Sequence, residues 1–294
     1  MRLKKELLFK RKILNIVHSF VIIAGTALLL SIAAFLIFGF LGIISSIIIW
    51  FLMIFIIPLI DPKSVLKTYD STELSYNEVP NLYEALYNLS KNANLQTPPK
   101  LYYIKSNSFI SFSTGTKENS AIALSDGIFR LLNDNELYGV LAHEISHIKN
   151  NDIWIMQITD IASKITTATA YIGQFILVLL SPFLILHDSL YFWVLFIIFL
   201  SIPPITIIMQ LSLSRIREYG ADIDAVMLTN DVQGLKNALL KLDTVEENIL
   251  NKIFNPFARS REPSILRTHP DSKKRIKRLE ELDFEKNCTK LRLQ

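Results

Sequence analysis

Leu141-Ala142-His143-Glu144-Ile145-Ser146-His147-Ile148 is the stretch on which the reading of this chain turns. Two histidines four apart on a helix project from one face about one turn apart, so both imidazoles reach a single ion. Zinc takes histidine nitrogens at about 2.0–2.1 Å, and a catalytic site commonly uses three protein ligands and leaves the fourth position to water. Glu144, beside the first ligand, is placed to take the proton of that water as it attacks a carbonyl. A surface helix with solvated His and Glu is the alternative. Against it, Leu137, Val140, Leu141, Ile145 and Ile148 set the motif between apolar positions. The helix is predicted to begin near Asn133 or Asp134, because Glu136 follows Asn133 by three residues as in a capping box.

A single cysteine, Cys288, makes no intramolecular disulfide and suits a reducing compartment, so a metal site here is built from His and carboxylates. The stretch Ser214-Arg215-Ile216-Arg217-Glu218-Tyr219-Gly220-Ala221-Asp222 offers two carboxylates four apart on one helix face. Glu218 is read as the third ligand. Asp222 is then positioned to accept a hydrogen bond from the free ring nitrogen of a ligating histidine. Taken alone, this stretch also reads as an ordinary helix whose acids balance Arg215 and Arg217.

Around these motifs the chain is greasy. Of its 294 residues 50% are hydrophobic and only 9 are glycine, with a mean hydropathy of +0.33, which implies a helical membrane protein with a modest soluble portion. Residues 13–60 carry no Asp, Glu, Lys or Arg, a run long enough to cross a bilayer twice, with Gly39 or Gly42 at the turn. A cleavable signal peptide is the alternative for the first span, but a second span follows it instead of polar mature sequence. A second apolar block runs from Ile165 to Ile185 and from Leu190 to Met209, interrupted by His187 and Asp188, with Tyr191, Phe192 and Trp193 as an interfacial belt. Pro203 and Pro204 predict a kink there, tolerable if neighbours satisfy the freed carbonyls. Asp160 and Lys164, four apart, are expected to pair at the interface.

The net charge is +4, but the basic residues gather beside the apolar stretches: Arg2, Lys4, Lys5, Lys10, Arg11 and Lys12 before the first span, Lys63 and Lys67 after the second. That pattern is membrane topology rather than nucleic-acid binding, and it puts both flanks on the cytoplasmic side. The reading is a mainly α membrane protein with about four transmembrane helices and a cytosolic α+β zincin-like catalytic domain holding a small β-sheet. Residues 1–12 form a basic N-terminus, 13–60 and 153–210 the two pairs of spans, and 61–152 and 211–294 the two parts of the catalytic domain.

Within the first soluble part, Pro80 opens a helix on which Leu82, Leu86, Leu89 and Ala93 recur until Thr97-Pro98-Pro99. Leu101 to Lys105 and Ser120 to Leu124 read as a hairpin of short strands around a loop containing Gly115. No proline lies between His147 and Ile165, so the catalytic helix is expected to run straight on toward the third span, about 27 Å away. The tail reads as helices with a mobile basic stretch around Asn255 to Arg267.

His-Glu-Ile-Ser-His-Ile-Lys-Asn-Asn-Asp (residues 143–152) together with Ser-Arg-Ile-Arg-Glu-Tyr-Gly-Ala-Asp (residues 214–222) resembles the membrane-bound M48 zinc metallopeptidases of the HtpX type. The resemblance implies one zinc per chain on His143, His147 and Glu218, with Glu144 as base. It extends to Asn107-Ser108-Phe109 before a glycine loop and to Thr268-His269-Pro270. It offers His269 as an assistant to the oxyanion; by spacing alone that histidine is a turn residue before proline. Asn107 to Phe112 read either as an edge strand receiving an extended substrate or as a strand that packs beneath the active-site helix. Gly220 departs from the family's usual small or aliphatic residue and predicts a looser Asp222. The activity implied is a zinc metalloendopeptidase of the cell (inner or plasma) membrane, multi-pass, with termini and active site cytoplasmic. Its substrates would be unfolded or membrane proteins in quality control and stress response. A CaaX-type prenyl-peptide protease and a non-proteolytic ion transporter are the alternatives.

Overall fold

A computed structural model describes residues 2–56, 61–185, 190–253 and 272–291. In chain order its elements are α1 (Arg2–Phe38), α2 (Phe40–Ile56), α3 (Pro62–Thr68), β1 (Thr72–Glu73), α4 (Pro80–Asn92), β2 (Lys100–Ile104), β3 (Ser111–Gly115), β4 (Ser120–Ser125), α5 (Asp126–Leu131), α6 (Asp134–Lys149), α7 (Asp152–Ile185), α8 (Leu190–Thr229), α9 (Gln233–Ile253) and α10 (Ser272–Leu291). The chain divides into two compact units, each made of two separated stretches: Met1–Leu59 with Trp154–Ile216, and Ile60–Ile153 with Arg217–Gln294. His187, Asp188 and the basic stretch from Asn255 to Arg267 lie outside the described residues.

The first unit is helical and apolar. Among the described residues three helices are long and apolar enough to cross a membrane, Ile13–Phe38, Asp152–Pro182 and Phe192–Thr229, while α2 is shorter at 17 residues. Large apolar side chains such as Phe20, Leu41 and Phe175 stand about 70% exposed, a surface that water does not tolerate over so many contiguous positions and lipid does. The break between α1 and α2 falls at Gly39, whose φ of +60° is left-handed and cheap only for glycine. Ser31 and Ser46 then meet across the pair at 2.8 Å.

Between α7 and α8 the contacts are partly polar. The Thr167 and Thr206 hydroxyls lie 3.2 Å apart, and Gln174 Nε2 donates to the Phe199 carbonyl at 2.9 Å. Phe199 is four residues before Pro203, so its carbonyl is the one that the missing proline N–H leaves without a helical partner. Gln174 satisfies it, and α8 runs unbroken through both prolines. Gln174→Leu is therefore expected to lower the stability of the full chain in detergent by about 1 kcal/mol. An unfolding midpoint equal to wild type would remove that role. Asp160 and Lys164 pair at 2.6 Å, and Gln210 Nε2 donates to the other Asp160 oxygen at 2.8 Å.

In the second unit a four-stranded sheet has the order β1-β2-β4-β3. The predicted strands at Leu101–Lys105 and Ser120–Leu124 are neighbours but run parallel, as β2 and β4, so they are not the two arms of a hairpin. The hairpin is β3–β4, closed by the turn Thr116–Asn119 that follows Gly115, and β3 takes the sheet edge. Periodicity alone did not separate β3 from its loop because Ser-Phe-Ser-Thr-Gly carries a single large apolar residue.

Sheet alternation sorts the core. Leu101, Ile122 and Leu124 point toward Leu86 and Leu89 of α4 and Leu141 and Ile145 of α6, all seven fully buried. Tyr102, Ile104, Ala123 and Phe112 cluster on the other face with Leu66 and Tyr69. Each fully buried leucine or isoleucine contributes about 1.5–3 kcal/mol, which is what pins α6 in place. On its far side α6 approaches α9 at Gly139, where an added Cβ would sit 2.7 Å from the Leu235 backbone nitrogen.

The helix bearing the His-Glu motif does not run on into the third span. It ends at Lys149, and Asn151 adopts φ +56° before α7 restarts at Asp152. Asparagine tolerates the left-handed conformation better than other residues with a Cβ, so Asn151 closes the helix at a position where glycine is the more usual choice. Asn150 Nδ2 anchors the turn by donating to Asp224 at 2.7 Å.

Candidate metal centre

α6 begins as its sequence dictates: the Asn133 side chain accepts from the Glu136 backbone amide at 3.0 Å, and Glu136 Oε2 accepts from the Asn133 backbone amide at 2.9 Å. Three turns later the spacing of four brings the His143 and His147 rings edge to face, with their Nε2 atoms 3.1 Å apart. Glu218 arrives from α8, its Oε2 lying 3.2 Å from His143 Nε2 and its Oε1 3.6 Å from His147 Nε2. All three side chains are buried. Ligands held at about 2.0–2.1 Å in a tetrahedron stand about 3.3 Å from one another, so this donor set has the spacing to hold a tetrahedral metal ion.

The outer ring nitrogens are also committed. Asp222 Oδ1 faces His143 Nδ1 at 3.1 Å, and Asp152 Oδ2 faces His147 Nδ1 at 3.0 Å. With Nδ1–H donated to a carboxylate, each Nε2 is the nitrogen that faces the shared point, and loss of its proton leaves a lone pair directed there. Asp152 is itself fixed by Arg217 Nη1 at 2.9 Å. Arg275 of α10 reaches in with 2% of its side chain exposed, giving Nε and Nη2 to the two oxygens of Asp222 at 2.8 and 2.6 Å, while its Nη1 forms an ion pair with Glu218 Oε2 at 3.0 Å. Both Asp222 oxygens are thus held by Arg275, and α8 is continuous through Gly220. One turn along, Arg278 stacks on the Tyr219 ring at 3.8 Å.

Glu144 is buried beside the donor set, and Ser111 Oγ donates to its Oε1 at 2.7 Å. Asn107, Ser108 and Phe109 lie in the β2–β3 connection, where the Ser108 carbonyl accepts from Ser125 Oγ and Phe109 packs against the core. His269 lies outside the described residues.

Burial alone would keep both rings neutral. For His143 the bonds to Asp222 and Glu218 outweigh burial, with the Arg275 charge opposing them, and its pKa is pushed up to about 9 from an ordinary 6.5. His147 moves in the same direction, burial lowering it and Asp152 raising it more. In the metal-free protein this pairing stabilises the fold fully below pH 6.5 and is lost as pH rises through about 9. An incoming metal has to displace the same proton. Zinc affinity is thus expected to rise across that window, about tenfold per pH unit for each proton displaced. Calorimetry in buffers of different ionisation enthalpy counts the protons, and a Kd indifferent to pH there contradicts the linkage.

Three residues of the site escaped the sequence reading. Asp152 had a signal, as the first acid after an Asn-Asn helix stop. Arg275 had a weaker one: Ile276 and Leu279, both buried, mark the inner face of α10, and Arg275 lies on that face. Ser111 had none, because only the register of β3 turns it toward α6.

The sequence was compared with known proteins. The family model of peptidase family M48 matches residues 77–283. A protease HtpX homolog of Campylobacter hominis is 31% identical over 280 residues, covering 90% of this chain and 98% of its own. Protease HtpX homologs of Pelotomaculum thermopropionicum and Campylobacter curvus are 34% and 32% identical, covering 74% and 76% of this chain and 81% and 82% of theirs.

Proposed function

The chain belongs to peptidase family M48, and from that premise we propose that this membrane-associated metalloprotease is a zinc endopeptidase acting on misfolded and membrane proteins in quality control. One observation carries the reading: two Nε2 atoms and a carboxylate converge with tetrahedral spacing while Glu144, one residue from the first ligand, lies beside them. Family membership sets aside the ion-transport alternative, and the similarity to HtpX homologs supports a quality-control protease over a prenyl-peptide protease.

His143, His147 and Glu218 would hold one zinc ion, with Asp222 and Asp152 keeping the rings in the ligating tautomer. Zinc, when bound, supplies Lewis-acid polarisation of the scissile carbonyl and lowers the pKa of water toward 7. Glu144 accepts the proton of the attacking water and hands it to the leaving amine. An extended substrate adds along β3, the open edge of the sheet, entered from Asn107, Ser108 and Phe109. Main-chain pairing of that kind tolerates many sequences, as a protease for unfolded segments requires. His269 is assigned to the oxyanion. The basic residues flanking the apolar helices support four spans, α2 being the second, with both termini and the active site on the cytoplasmic face of the cell membrane.

The test is direct. Full-length protein in detergent, loaded with zinc, should bind one ion per chain and cleave a dye-labelled unfolded protein, and a chelator should stop it reversibly. Zinc-loaded protein that leaves every unfolded substrate intact would overturn the assignment.

A further inference from the structure

The edge strand β3 alternates Ser111, Phe112, Ser113, Thr114, and its even-numbered residues form the hydrogen-bonded pairs with β4. Two bonds fix that phase: the Ser125 amide donates to the Ile110 carbonyl at 2.9 Å, and the Thr116 amide donates to the Asn119 carbonyl at 3.0 Å. Antiparallel ladders alternate, so Ser111, opposite Leu124, and Ser113, opposite Ile122, turn their own N–H and C=O groups away from β4. Among the described residues β3 ends the sheet, so those groups face its unpaired edge. The pleat sends the Ser111 side chain to the face carrying Leu124 and Ile122, the face that packs on α6. There its hydroxyl donates to Glu144 Oε1 at 2.7 Å.

One residue therefore offers its backbone to an added strand and its side chain to the base. Resting on the protease reading, we infer that Ser111 is a positioning residue: it aims the Glu144 carboxylate from the strand that receives the substrate, so that the bound chain and the base share one register. Glu144 is buried, and without that hydroxyl its Oε1 has to find another donor or rotate. The face supports the inference. Where β2 and β4 present Leu101, Ile122 and Leu124 to α6, β3 presents Ser111 and Ser113, and of these two it is Ser111 whose hydroxyl reaches Glu144.

The experiment uses the full chain in detergent, with zinc content measured for every variant and rates expressed per bound zinc. Ser111→Ala is expected to lower kcat about tenfold with KM for an unfolded substrate within about twofold of wild type, since orientation of the base matters in the chemical step and the backbone edge is untouched. Ser111→Thr restores the hydroxyl on a residue that suits a strand and is expected to recover most of kcat. An alanine variant with wild-type kcat overturns the inference, and so does a threonine variant as slow as alanine, which would mark a packing defect. Inert wild-type protein would instead count against the protease assignment itself, so the two failures are told apart.

Discussion

Glu144→Gln is expected to retain its zinc and to lose turnover by about 10²–10⁴-fold, the usual contribution of a general base. The substitution is nearly isosteric, and the amide oxygen still accepts from Ser111 Oγ, so the local packing of α6 is preserved. What disappears is a group able to take a proton from water at neutral pH. Glu144 contributes no ligand atom to the donor set of His143, His147 and Glu218, which is why metal content should not follow activity down. Metal analysis and initial rates on the same preparation check both halves. Undiminished turnover with stoichiometric zinc would take Glu144 out of the proton transfer. If the variant is as inactive as expected and still binds substrate, it becomes a trap for identifying natural substrates in cells.

Arg275→Met should destabilise the metal-free protein by about 3–5 kcal/mol and the zinc-loaded protein by clearly less. Arg275 lies fully inside the second unit and pairs with both Asp222 and Glu218. Burial resists charge on Asp222, yet Arg275 and then His143 hold its carboxyl down at about 2. With the guanidinium gone, two buried carboxylates remain and the Asp222 pKa rises. A divalent cation at the histidines restores part of the missing positive charge, hence the smaller loss with zinc. Denaturant unfolding with and without zinc measures the difference. Equal losses in both states would mean that Arg275 acts through packing alone.

These two residues differ in how visible they were. Glu144 was legible because an i, i+4 histidine pair and the carboxylate between them are all local, and helical geometry fixes their relation whatever the rest of the chain does. The same holds for the capping box at Asn133 and Glu136, for the span break near Gly39, and for the Asp160–Lys164 pair. Arg275 is 131 residues from Glu144 in sequence, and among neighbouring lysines and arginines nothing local distinguishes it.

By itself, then, the sequence determined most of the helices and the side chains able to serve as donors, because periodicity, capping and charge act within a turn or two of helix. Tertiary structure decided three things: which strands pair, so that β2 and β4 run parallel; where the catalytic helix stops, at an asparagine in the left-handed region; and which distant side chains close around the histidines. Buried ion pairs such as Arg275 with Asp222 form only because low-dielectric packing forces each charge to find a partner, and that demand is set by the assembled core rather than by neighbours along the chain.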